Sequence, residues 1–225
     1  MKSKTKKMQA ILMKGVLIAL SLIFISSSFT YAVEGLTLQA STALEILMYG
    51  EVGSAVRKIE EHFKSKTTLY IVNEIQLRAL AEYVNAGNSC YGKVIELIND
   101  IKINSNVDWT PIGTEYTPFQ GTFKGNGYTV TNLTYTLTKE SDGNIGLFGV
   151  SNGNIEKLTV NNSKIAKVST NNDYFNIGNI AGVNNGKIKD CNANKMPLGL
   201  SNVEEGTDAN KYVGLIAGKN ANNGI

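Results

Sequence analysis

A repeated sentence constrains this chain more than anything else in it. Residues 144–160 read N-I-G-L-F-G-V-S-N-G-N-I-E-K-L-T-V. Laying Leu147-Phe148-Gly149 over Ile180-Ala181-Gly182 aligns the next stretch at an offset of 33, with Val150 on Val183, Gly153 on Gly186, Ile155 on Ile188 and Leu158 on Cys191. A third copy opens at Gly214-Leu215-Ile216-Ala217-Gly218. Self-similarity at such a period marks a solenoid, in which each unit buries its apolar face only against its neighbours. The repeat residues Gly146, Leu147, Phe148, Gly149, Ile180, Ala181, Gly182, Ile216, Ala217 and Gly218 are therefore read as architecture.

From Lys93 onward the chain is built of short branched-apolar runs separated by Gly and Asn, with no helical period of useful length. Asn is the recurrent polar residue of this stretch, often doubled, as at Asn171-Asn172, Asn184-Asn185 and Asn222-Asn223. Asn tolerates the left-handed backbone region and bonds its own main chain, so this enrichment suits the corners of a coil. The strand signature recurs as Val130-Thr131-Asn132-Leu133-Thr134-Tyr135, Ile155-Glu156-Lys157-Leu158-Thr159-Val160 and Ile188-Lys189-Asp190-Cys191, at spacings of 25 and 33. Those spacings fit one turn of a parallel β-helix each, with Leu158-Thr159-Val160 alternating in, out, in. The remaining residues are placed in loops such as Ser169 to Phe175.

The N-terminal part reads differently. Lys2, Lys4, Lys6, Lys7 and Lys14 precede an apolar run from Gly15 to Ile25, and Thr30-Tyr31-Ala32 offers small residues for cleavage. Residues 1–32 are expected to be a signal peptide, with an uncleaved membrane anchor as the alternative. Its removal takes five lysines and no acid, so 22 basic residues against 19 acidic become 17 against 19. The mature chain then lacks the basic excess that binding to phosphate backbones requires, and nucleic acid is excluded as a partner. Contact with the membrane is confined to export.

Residues 33–66 are expected to form a helical lead-in with apolar clusters at Ala43, Leu44, Ile46 and Leu47 and at Val52, Ala55, Val56, Ile59 and Phe63, punctuated by Gly50 and Gly53, with Ser54 as a candidate cap. Residues 67–92 are expected to supply a strand at Thr68 to Val72 and a helix from about Glu74 to Ala86. Asn73 and Gln76 form its capping box, Leu77, Leu80, Ala81 and Val84 its apolar stripe, and Gly87 its stop. That helix is expected to close the first coil of a stack spanning residues 93–225.

Asp108-Trp109-Thr110-Pro111-Ile112-Gly113, Pro118-Phe119-Gln120-Gly121-Thr122-Phe123-Lys124-Gly125-Asn126-Gly127-Tyr128 and Gly146-Leu147-Phe148-Gly149 together resemble the GLUG-motif proteins of bacterial surfaces. The same repeats occur in non-catalytic N-terminal parts of some IgA-specific metallopeptidases. The resemblance covers about Thr68 to Ile225, and later copies drift, Phe148 becoming Ala181 and Ala217. It implies an all-β fold, a right-handed parallel β-helix with an N-terminal helical cap, secreted or held at the cell surface. It brings no catalytic residue.

Catalytic chemistry is hard to find in the residues themselves. There is no H-E-x-x-H, no histidine after His62 and no arginine after Arg78, and residues 93–225 carry 12 acids and 12 lysines. Asp100, Asp108, Glu115, Asp142, Glu156 and Asp190 are read as solvated carboxylates, His62 as part of a solvated helix face, and no metal or cofactor is expected. Cys90 and Cys191 are too few for a disulfide framework, and Cys191 is read as a small buried hydrophobe. Phe119, Phe123 and Phe148 are expected to pack in the core or at the coil corners. Tyr174 and Phe175, in the loop insertion, are the candidates for contact with a ligand, a host or cell-wall glycan or protein. The leading expectation is a non-catalytic adhesion, binding or spacer protein. The alternative is the N-terminal stalk of a larger surface enzyme such as an IgA-type metallopeptidase.

Overall fold

A computed structural model describes residues 31–33, 36–38, 40–137, 143–168, 175–194 and 211–221. The chain separates into two compact units, residues 1–47 and residues 48–225. The segment expected to direct export lies outside the described residues apart from its last two, Tyr31 and Ala32. In the first unit Tyr31–Val33 pairs antiparallel with Leu36–Leu38, so a short hairpin stands where the lead-in was expected to be helical.

Helix Ala40–Ser65 then runs without a break through Gly50 and Gly53. Glycine in a helix interior costs only about 1 kcal/mol. Burial of Val52, Ile59 and Phe63, each at most 9% exposed, outweighs that and explains why the expected punctuation fails. The next strand, Thr68–Ile71, leads into helix Glu74–Asn85. Asn73 caps this helix by accepting from the Gln76 amide at 3.0 Å, while Gln76 Oε1 accepts from the Val72 amide at 2.8 Å. Leu77, Leu80, Ala81 and Val84 are buried, and Gly87, at φ 108°, ends the turn.

The remainder is strands in parallel sheets. The largest orders Thr68–Ile71, Val94–Leu97, Thr122–Lys124, Asn154–Glu156 and Lys187–Lys189. A second orders Ile101–Lys102, Thr129–Thr131, Thr159–Asn161 and Asn192–Ala193. A third stacks Phe148–Ser151, Ala181–Asn184 and Ala217–Asn220, and a fourth stacks Asn144–Ile145, Phe175–Ile177 and Lys211–Val213. Thr134–Leu137 pairs with Lys164–Val168 across a register shift between Ile165 and Lys167.

The sequence offset between paired strands corrects one expectation. The offset of 33 holds for Phe148 with Ala181 and for Ile155 with Ile188. The offset of 25 does not. Val130 pairs with Val160 instead of Ile155, and Ile155 pairs with Phe123. Among the described residues the rows turn at two similar kinds of strand-corner-strand unit, one at Asn126, Lys157 and Asp190, the other at Asn132 and Asn162, all with positive φ. Their short apolar runs look alike in sequence, and only the inter-strand pairing tells them apart.

Register turns the apolar positions into columns. Ile95, Phe123 and Ile155 lie beside one another and are fully buried, as are Val130 and Val160. Leu158 is 1% exposed, Thr159 half-buried and Val160 buried, in the expected alternation. Leu158→Asp puts an unpaired charge into this stack, which destabilises by more than about 4 kcal/mol. We expect loss of the cooperative thermal melt by circular dichroism, and an unchanged transition refutes the inward placement.

Candidate functional site

The repeat residues converge on one wall. Phe148 lies beside Ala181, and Ala181 beside Ala217. Leu147, Phe148, Ile180 and Ala181 are fully buried, whereas Ile216 and Ala217 are half-buried in the last row. Phe148 packs on Phe119 and Phe123 with ring centroids 5.1 and 5.2 Å apart, so these three aromatics are core, as expected.

The W-T-P-I-G segment supplies the row that precedes the first repeat. Ile112 bridges to Phe148 and Phe119 to Ser151, both parallel, and Trp109 Nε1 donates to the Leu147 carbonyl at 3.2 Å. Helix Glu74–Asn85 fastens this segment. Arg78, 9% exposed, bonds Glu74 Oε1 at 2.9 Å and the carbonyls of Asp108 and Val107 at 2.8 and 3.1 Å, and lies 5.4 Å over the Trp109 ring. Asn85 donates to the Pro111 carbonyl and accepts from the Gly113 amide. Arg78 and Asn85 were not singled out from sequence, because their partners lie a full row further along the chain.

A glycine spine marks one corner. A Cβ on Gly153 runs into the carbonyl oxygen of Gly121, and a Cβ on Gly186 into that of Gly153. The backbones of adjacent rows touch here, which only glycine permits. Asparagine has a second use beyond corners. Asn176 Nδ2 donates to Asn144 Oδ1 at 2.7 Å where both are buried. Similar pairs join Asn184 to Asn220, Asn185 to Asn152 and Asn162 to Asn132 at 2.6 to 2.9 Å. Asn side chains stacked at matched positions satisfy one another, as amide ladders do in other in-register parallel arrays.

The candidate ligand contacts fare unevenly. Tyr174 lies outside the described residues. Phe175 is 6% exposed inside strand Phe175–Ile177, so it packs in the stack and does not present a ring to solvent. The aromatics open to solvent include Tyr91 and Tyr116, which are 80% and 95% exposed. The carboxylates are dispersed into structural tasks: Asp100 Oδ1 accepts the Thr129 amide, Glu115 Oε1 accepts from Asn144, and Asp190 sits at a left-handed corner. Asp142 lies outside the described residues. Among the described residues no group of three His, Cys, Asp or Glu side chains converges on a point.

His62 leaves the solvated face assigned to it. Its Nε2 donates to the Thr68 carbonyl at 2.6 Å, on the outer edge of the largest sheet. A groove of about 570 Å³ runs between the long helix and this edge, lined by residues including Ser54, Ile59, His62, Leu69, Tyr70 and Gln76. Its mixture of single polar groups holds no catalytic constellation. Among the described residues no helix is long and apolar enough to cross a membrane.

Both cysteines are free, Cys90 buried and Cys191 half-buried. Burial pushes the Cys90 thiol up to about 12 against the opposing pull of Lys93. Burial also raises Cys191, partly offset by backbone hydrogen bonds near Leu158 and Lys189. The chain matches no family model, no curated protein and no solved structure.

Two outcomes follow from this geometry. Gly153→Ala destabilises by about 1 to 3 kcal/mol in chemical denaturation, because carbonyl and Cβ cannot share the corner. An Ala variant as stable as the parent refutes the contact. In alkylation at pH 8 without reductant, native protein is modified slowly at Cys191 and not at Cys90, and unfolded protein at both. A mass showing no modification of unfolded protein would reveal a bridge instead.

Proposed function

We propose that the parallel sheets are the walls of a right-handed parallel β-helix of GLUG type, that helix Glu74–Asn85 caps its first coil, and that the protein is a non-catalytic secreted or cell-surface module for adhesion, binding or spacing. The observation that carries this reading is the columnar register. Matched residues one row apart lie beside one another on every wall, from Phe148 with Ala181 and Ala217 to Ile145 with Ile177 and Val213. A chain so committed to stacking presents its outward side chains as a repetitive surface, which suits contact with a partner more than concentrated chemistry. Such a partner, a host or cell-wall glycan or protein, meets the outward strands and the loops between rows. The basic and apolar N-terminal segment supports export, with the mature chain starting at Val33.

Expression of the whole chain in a bacterial host tests the location. We expect the protein outside the cytoplasm with Val33 as its first residue by N-terminal sequencing. Recovery of cytoplasmic protein that retains residues 1–32 refutes export.

A further inference from the structure

Register brings two exposed tyrosines and a line of amide side chains to one corner of the rows. Pairing of Phe119 with Ser151 and of Ser151 with Asn184, then of Thr122 with Asn154 and of Asn154 with Lys187, sets Gln120, Asn152 and Asn185 beside one another. Asn185 Nδ2 donates to Asn152 Oδ1 at 2.9 Å, and both residues are exposed. That bond takes one donor of Asn185 and one lone pair of Asn152, so each amide keeps groups for an outside partner. The residue after each amide is a glycine, Gly121, Gly153 or Gly186, with no side chain to cover it.

The preceding row adds a ring to this line. The Gln120 amide donates to the Ser89 carbonyl at 2.7 Å, and a Cβ on Gly121 would meet the Cys90 carbonyl. Tyr91 follows, 80% exposed, in a turn closed by the Lys93 amide on the Cys90 carbonyl, with positive φ at Cys90 and Gly92. Tyr116, 95% exposed, stands on a second turn closed between Thr114 and Thr117. The Thr117 hydroxyl reaches the Asn85 carbonyl at 3.5 Å, which ties that turn to the end of the helix from which the first turn departs. A single exposed ring is ordinary on a protein surface. Two rings on fixed turns beside a polar line make a platform.

We infer that this corner binds an uncharged, extended β-linked glycan laid along the line from Tyr91 to Asn185. A sugar ring presents C–H groups on its faces and hydroxyls around its rim. The faces suit Tyr91 and Tyr116, and the rim suits amides, which donate and accept. Rows stand about 4.8 Å apart, a spacing of the same order as one unit of such a chain, so successive sugars meet successive rows. Gln120-Gly121, Asn152-Gly153 and Asn185-Gly186 carry no charge, which disfavours an acidic glycan or a charged peptide. Tyrosine held on a closed turn loses little freedom on contact. The inference deepens the binding reading proposed above and rests on it.

Retention of the full chain on insoluble chitin, an uncharged β-linked polymer, tests it, with granular starch as the α-linked comparison. We expect retention on chitin that persists at high salt, and none on starch. Tyr91→Ala and Tyr116→Ala each weaken it about fivefold. Tyr70→Ala, which removes an exposed ring from the outer strand of the largest sheet, leaves retention unchanged. Both corner variants melt like the parent, because their side chains are exposed. The two readings fail apart. Undiminished retention of the Tyr91 and Tyr116 variants overturns this corner and leaves a binding module standing, whereas no retention of the parent, equal retention on starch, or loss at high salt overturns the glycan itself.

Discussion

Parallel backbone pairing between rows is the constraint from which the rest follows. Because each strand lies beside a strand of the same direction, every side chain has its counterpart as nearest neighbour. A position is then limited to residues that tolerate something like themselves alongside. Branched apolar groups meet this condition inside, as at Val130 and Val160. Glycine meets it where main chains touch, as at Gly121, Gly153 and Gly186. Asparagine meets it where a polar group must be buried, since its amide is both donor and acceptor and one copy answers the next. Charge meets it only by alternating, as Glu96, Lys124 and Glu156 do.

How much of this was legible depended on the range of the interactions. Local signals read well: the capping residues Asn73 and Gln76, the stripe from Leu77 to Val84, and the alternation at Leu158-Thr159-Val160 all depend on neighbours within one element. The offset of 33 was legible because Gly, Phe or Ala, and Gly recur in order. The offset of 25 misled because two kinds of corner share the same texture, and pairing across a whole row, as between Val130 and Val160, leaves no local trace. Asparagine was read as a corner residue, which holds at Asn126, Asn132 and Asn162. It misses the buried pair Asn144 and Asn176, while Lys157 and Asp190 occupy left-handed corners without being Asn or Gly.

The candidate site was the least legible part, for a physical reason. Exposure of an aromatic is decided by the row above and below it, so the loop-side reading of Phe175 could not anticipate its burial beside Lys211 in the pairing of strands. His62 carried no sequence sign of the Thr68 carbonyl either, because that contact joins a helix to a sheet edge. Arg78 is the same case in stronger form. A lone arginine on a helix reads as surface, yet here it collects two carbonyls, a carboxylate and an indole face.

Row length is uneven: it grows from the pair Val130 and Val160 to the pair Ile155 and Ile188, and again to the pair Ala181 and Ala217. One surplus residue is taken up inside a strand, at the shift between Ile165 and Lys167, while the columns of Ile155 with Ile188 and of Ala181 with Ala217 keep their register. Heredity can therefore act on this architecture in two uncoupled ways. Small insertions between walls alter what the molecule shows to its surroundings, and copying of a whole row lengthens it, while neither asks the buried columns to change.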